Sequence, residues 1–221
     1  MAYWLELAAG GLITGGIYAV VALGLNLQYG LMRIMNISHG EFLMLGAYLT
    51  WLGYTVLQVN PLVFLPVVVL ALFALGVVVY WLCFQRITRT APAVEVIEAR
   101  SLLVGFGLMF PVQNAAYLAW GADLRGYTFL AEPLDIGGAR FMTNRLVVFA
   151  FAVGASLVLL AVLRWTLIGK AVRAMMQSPI GAQLVGIDTR FLHPVVFGAG
   201  IALAGVAGAL PSAMNAVLDA L

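Results

Sequence analysis

The chain has 221 residues, 64% of them hydrophobic and 9% charged, with a net charge of +2 and a mean hydropathy of +1.06. Soluble domains carry roughly 25% charged residues, so eleven Lys and Arg with nine Asp and Glu are too few to coat a soluble fold of this length. That class is excluded. The small, scattered charge also excludes a nucleic-acid partner, and the single cysteine, Cys83, excludes an internal disulfide framework and reads as a packed apolar residue.

A helix needs about 20 apolar residues to cross the hydrocarbon layer of a bilayer. No charged residue falls between Glu6 and Arg33, and none between Glu41 and Arg86. The second gap holds two crossings, with Asn60-Pro61 as the turn between them. The uncharged stretches Ser101–Ala122, Leu146–Leu163 and Phe191–Leu218 follow. The pattern predicts an all-α integral membrane protein of about six transmembrane helices: Leu5–Gln28, Glu41–Gln58, Pro61–Phe84, Ser101–Gly121, Arg145–Thr166 and Thr189–Pro211. The N-terminal run is expected to be retained rather than cleaved. It carries Glu6 where a signal peptide has a basic region, and its apolar stretch is too long.

Basic residues set the orientation. Strict alternation places Arg33, Arg86, Arg89, Arg100, Arg164, Lys170, Arg173 and Arg190 on one side, and Arg125, Arg140 and Arg145 on the other. The richer side is expected to be cytoplasmic, with the N-terminus outside. The glycines Gly10-Gly11, Gly15-Gly16, Gly198, Gly205 and Gly208, with Ala202, are expected to let helix backbones approach closely. No P-loop is present, His39 and His193 are the only histidines, and no carboxylate sits where it would complete a Ser-His-Asp set. No catalytic, cofactor or metal site is predicted.

Two segments carry functional information. In Tyr29–Tyr48, the polar residues Asn36, Ser38, His39 and Glu41 lie between two spans beside Gly40. A capping box, with Ser38 as N-cap and Glu41 three residues on, accounts for two of them. Asn36 and His39 are left for a second reading, a broken helix beside a translocation path. Backbone that leaves a helix at membrane depth must be buried in protein or line a wet cavity.

The second segment, Gly169–Asp188, is amphipathic and too polar to span. Ser178-Pro179 predicts helix Lys170–Gln177, a turn, and helix Pro179–Val185, closed by Gly186, with Asp188 capping the next span. Val172, Met175 and Met176 are expected to form an apolar knob suited to a partner's groove, and Arg173 and Gln177 lie on another face. The alternative is a helix lying on the bilayer surface.

These segments resemble the permease subunits of bacterial ABC importers for branched-chain amino acids. The resemblance runs from Tyr29-Gly30 through Asn36-Ile37-Ser38-His39-Gly40-Glu41 to Gly46-Ala47-Tyr48. It continues through Gly105-Phe106-Gly107 and Gln113-Asn114 to Gly169, Arg173-Ala174 and Gly186-Ile187-Asp188. The family's N-F-A-H-G-E stands here as N-I-S-H-G-E. The resemblance implies a single permease domain over residues 1–221, C-terminally short of the family's usual length, with residues 167–190 as a cytoplasmic coupling loop. Gly169, Arg173, Ala174, Met175, Met176, Gln177, Gly186 and Asp188 would then meet the ATPase, and Asn36, His39 and Glu41 would border the path. The implied partners are cytoplasmic ATPase subunits, a second permease subunit, a periplasmic binding protein and membrane lipid. The protein would carry no enzymatic chemistry of its own and would reside in the bacterial inner membrane. Urea or short-chain amide permeases are the near alternatives, and a non-ABC channel or carrier is the distant one. The scarcity of ionisable groups within the spans argues against an ion-coupled carrier.

Overall fold

The computed structural model describes residues 2–91, 93–121, 126–127, 129–130, 132–136 and 139–212. Among them, helices α1 (Ala2–Met32), α2 (His39–Thr55) and α3 (Pro61–Val79) come first. A π-helical turn over Tyr80–Phe84 then joins α3 to α4 (Gln85–Thr90) and α5 (Val94–Trp120). A hairpin of β1 (Pro133–Ile136) and β2 (Ala139–Met142) precedes α6 (Thr143–Trp165), α7 (Leu167–Gln177), α8 (Pro179–Leu184) and α9 (Thr189–Ser212).

Five described helical stretches are long and apolar enough to cross a membrane: Glu6–Met32, Pro61–Thr90, Val94–Trp120, Thr143–Trp165 and Thr189–Leu210. The sixth expected span, α2, has 17 residues, about 25 Å of helix and the lower limit for a crossing. It is short because residues 33–36 run back into the bundle without helical structure.

Two expectations are corrected. The stretch Arg86–Arg100, expected as a loop, is mostly helical. Its Ile, Glu, Ala and Arg content favours helix, so α3 continues through the π-helical turn and α5 begins seven residues early. The hairpin was not anticipated; β1 and β2 pair antiparallel, Pro133 opposite Met142. Between the expected spans ending at Gly121 and starting at Arg145, residues 122–125, 128, 131 and 137–138 lie outside the described residues.

Helix α9 is the axis of the bundle. Of its best apolar window 72% is buried, against 11% for α5 and for α6. Glycines bring its neighbours this close. A methyl built on Gly76 of α3 would sit 2.8 Å from Gly198 Cα, and one on Gly24 of α1 would sit 2.8 Å from the Gly200 carbonyl. Gly46 and Leu43 of α2 abut Gly205 and Gly208 in the same way. Small residues substitute here for the hydrophobic drive that lipid cannot supply. The N-terminal glycines behave otherwise: Gly10, Gly11 and Gly15 face open space, and only Gly16 meets a neighbour, Phe149 of α6.

Candidate functional site

The site is built where α1 stops. Arg33 adopts a left-handed conformation, φ 56°, and its N–H bonds the Tyr29 carbonyl at 2.8 Å. Its guanidinium lies over the Tyr29 ring. Tyr29 in turn donates to Glu98 Oε1 of α5 at 2.9 Å. The chain then re-enters the bundle as far as His39, which abuts Gly24 of α1.

Part of this irregular backbone is bonded by protein. The Met35 N–H donates to Ser101 Oγ of α5 at 3.0 Å, and the His39 N–H reaches the Asn36 carbonyl at 3.3 Å. Gly105 of α5 lies so near that a methyl there would sit 3.0 Å from the Ile37 nitrogen.

A buried relay runs through the segment. Ser38 Oγ donates to Asn36 Oδ1 at 2.6 Å. Asn36 Nδ2 donates to Gln28 Oε1 at 3.3 Å, and Gln28 Nε2 donates to the Phe197 carbonyl of α9 at 3.2 Å. All three side chains are buried. The expected capping box is therefore absent. Ser38 has φ −69° and ψ 6°, a turn conformation rather than the extended one of most N-caps, and its hydroxyl serves Asn36. Glu41 does not reach back either; its Oε1 accepts from Gln113 Nε2 of α5 at 2.8 Å.

His39 is buried, yet both ring nitrogens lack a hydrogen-bond partner among the described residues. The Val21 backbone approaches the ring without reaching bonding geometry. Asn36 and His39 both line a cleft of about 500 Å³ between α1, the re-entrant segment, α2 and α5. Its walls are mostly apolar, including Val21, Leu25, Ile37, Leu43 and Leu102, and Asn26 adds a polar group. The expected residues Asn36 and His39 thus come together, whereas Glu41 turns to α5. Asn26 and Gln28 were not anticipated. Their signal was two carboxamides inside an otherwise apolar span.

The segment Gly169–Asp188 forms two helices, as its sequence predicts. Thr166 Oγ1 accepts from the Gly169 N–H at 3.0 Å, and Gly169 is pressed against the Leu163 backbone where α6 turns into α7. Ser178 Oγ accepts from the Gly181 N–H at 3.1 Å and caps α8. Gly186 has φ 87°, and Asp188 Oδ1 accepts from the Arg190 N–H at 2.8 Å. The expected knob is not formed as such: Val172 and Met175 are buried in the bundle core. The apolar face of α7 serves its own fold. Met176 remains half-exposed, with Ile180, Leu184 and Val185 exposed beyond it, while Ala174 is partly buried and Gln177 exposed. Arg173 Nη2 donates to the Arg164 carbonyl at 3.3 Å and closes the end of α6.

The apolar crossing helices define a multi-pass membrane protein. Residues 7–220 match the family described as branched-chain amino acid transport system / permease component, and the chain belongs to that family. Among its relatives is a high-affinity branched-chain amino acid transport system permease protein, BraD, of Pseudomonas aeruginosa. It is 25% identical, over 98% of this chain and 73% of the relative. LivH of Escherichia coli, a permease protein of the same description, is 26% identical over the same shares. A probable branched-chain amino acid transport permease protein of Methanocaldococcus jannaschii is 30% identical over 96% of this chain and 67% of its own length. These relatives are transport permeases. No solved structure matches the chain significantly.

Proposed function

We propose that the chain is a membrane-spanning permease subunit of an ATP-driven importer of branched-chain amino acids. The observation that carries this reading is the cleft beside the re-entrant segment. Asn26 is exposed on α1 in a span otherwise nearly all apolar, and lipid offers a carboxamide no partner. Water, solute or a second subunit must meet it. A wall of aliphatic side chains with a few polar groups suits a small solute that has a branched apolar side chain and a polar head.

The cleft is open on one side, and a second permease subunit completes the path there. The basic end of the bundle, with Arg33, Arg86, Arg89, Arg173 and Arg190, faces the cytoplasm. Residues 167–190 form the coupling loop on that side. Met176, Ile180, Leu184 and Val185 are the exposed apolar contacts for a cytoplasmic ATPase, and Gly169, Gly186 and Asp188 shape the turns that present them. A periplasmic binding protein delivers the solute at the opposite end, so much of the substrate selectivity lies outside this chain.

The test is reconstitution in vesicles with the ATPase, second permease and binding-protein subunits of its importer. The expected result is ATP-dependent leucine uptake that isoleucine and valine compete. Uptake of urea or acetamide but not leucine would overturn the substrate assignment. Leucine uptake without ATP would overturn the ATP-driven one.

A further inference from the structure

A second cleft, of about 240 Å³, opens at the basic end of the bundle, away from the re-entrant segment. Its lining includes Tyr80, Thr88, Arg89, Gln183, Arg190 and His193, drawn from the π-helical turn, α4, α8 and the start of α9. The π-helical turn matters here, because such turns re-aim side chains and recur at functional sites. It opens on Tyr80, whose hydroxyl lies 2.9 Å from Thr88 Oγ1 and 3.2 Å from His193 Nδ1.

The lining groups are donors in excess of acceptors. Among the described residues, neither Arg89 nor Arg190 has a carboxylate within ion-pair distance, and His193 Nε2 is buried without a partner. Asp188, two residues before Arg190, places its Oδ1 on the Arg190 backbone N–H. Two guanidinium forks facing one small cleft match the oxygens of a phosphate group. The volume is below the roughly 300–1,000 Å³ of drug-sized pockets, the right scale for a headgroup. On the same elements, Trp81, Leu82 and Phe191 are exposed and apolar.

We infer that this cleft binds a phosphate group, supplied by the headgroup of an anionic phospholipid. Basic pockets between transmembrane helices at a cytoplasmic face are suited to such headgroups. Because Gln183 belongs to α8, a bound headgroup would tie the coupling helices to α4 and α9.

The test uses the full chain in nanodiscs of phosphatidylcholine, with and without phosphatidylglycerol, and with inorganic phosphate added to the former. Thermal unfolding is compared for the native chain, the double variant Arg89→Gln/Arg190→Gln, and Arg164→Gln, which lies outside the cleft. Binding predicts that phosphatidylglycerol raises Tm increasingly with its mole fraction in the native chain and Arg164→Gln, and not in the double variant. Inorganic phosphate is expected to leave Tm unchanged. A phosphate response that the double variant abolishes keeps the site and overturns the lipid as its source. An equal lipid response in the double variant, or no response to either ligand in the native chain, overturns the site. Native mass spectrometry of retained phosphatidylglycerol, read at equal folded fraction, separates lost binding from lost folding.

Discussion

Asn36 Nδ2 donates to Gln28 Oε1 at 3.3 Å, joining the re-entrant segment to α1, and through Gln28 to the Phe197 carbonyl of α9. These side-chain bonds tie the non-helical segment to the helices around it. Replacing Gln28 by Leu leaves the Asn36 amide buried with a lost acceptor, a cost of about 1–3 kcal/mol. Ser38→Ala removes a single donor to Asn36 and costs about 1 kcal/mol. Thermal unfolding in detergent should therefore rank the native chain above Ser38→Ala, and Ser38→Ala above Gln28→Leu. The reverse order of the two variants would deny the relay its place as the anchor of the segment.

Among the described residues the buried His39 ring nitrogens have no hydrogen-bond partner, so no bond from the ring accounts for its place in the fold. His39→Leu keeps most of the volume and removes the cost of burying two unbonded nitrogens. Its Tm should equal or exceed that of the native chain, while uptake per folded molecule falls by about tenfold, a loss of 1.4 kcal/mol in the relevant step. His39→Ala is less informative, because the void beside Gly24 lowers stability by itself. Full uptake by His39→Leu would make the residue structural.

The glycines divide into two groups with opposite predictions. Gly46→Ala drives a methyl into the Gly205 backbone, and relieving it must separate α2 from α9, at about 1–3 kcal/mol. Gly15→Ala meets nothing within 4 Å and gains helix propensity, so it should be neutral or stabilising by up to about 1 kcal/mol. Denaturant unfolding of the two variants side by side reads the difference.

Within α7 and α8, buried residues are separated from the exposed ones proposed to meet the ATPase. Leu184 is 82% exposed and Val172 is buried. Leu184→Asp should insert and fold normally yet fail to co-purify with the ATPase, because a desolvated unpaired charge in a docking groove costs several kcal/mol. Val172→Asp should fail to fold. Normal ATPase yield with Leu184→Asp would remove α8 from the contact.

Much of this was legible in the sequence. Uncharged runs located the spans because lipid excludes charge everywhere along them, and Asn36 and His39 stood out as polar residues beside those runs. Other features depended on three-dimensional partners that no local pattern encodes. Ser38 and Glu41 have capping-box spacing, but Asn36 and Gln113 offer them better partners. The periodicity of α7 shows that one face is apolar and not which protein covers it, so Val172 and Met175 read as contacts when they are core. Gln28 and Asn26 were passed over because a single carboxamide scarcely alters the hydropathy of a span.

In the proposed importer the re-entrant segment borders a water-filled path for the solute. Ile37 lines the cleft and is exposed there, so Ile37→Cys in a Cys83→Ala background, in the reconstituted importer, tests it most directly. Leu118→Cys, on the exposed face of α5, serves as the lipid-facing reference. A charged, water-soluble thiol reagent should modify Ile37→Cys, more slowly when leucine is being transported, and should leave Leu118→Cys untouched. If Ile37→Cys resists the charged reagent as Leu118→Cys does, and both react only with a lipid-soluble maleimide, the cleft is filled by lipid and the path lies elsewhere.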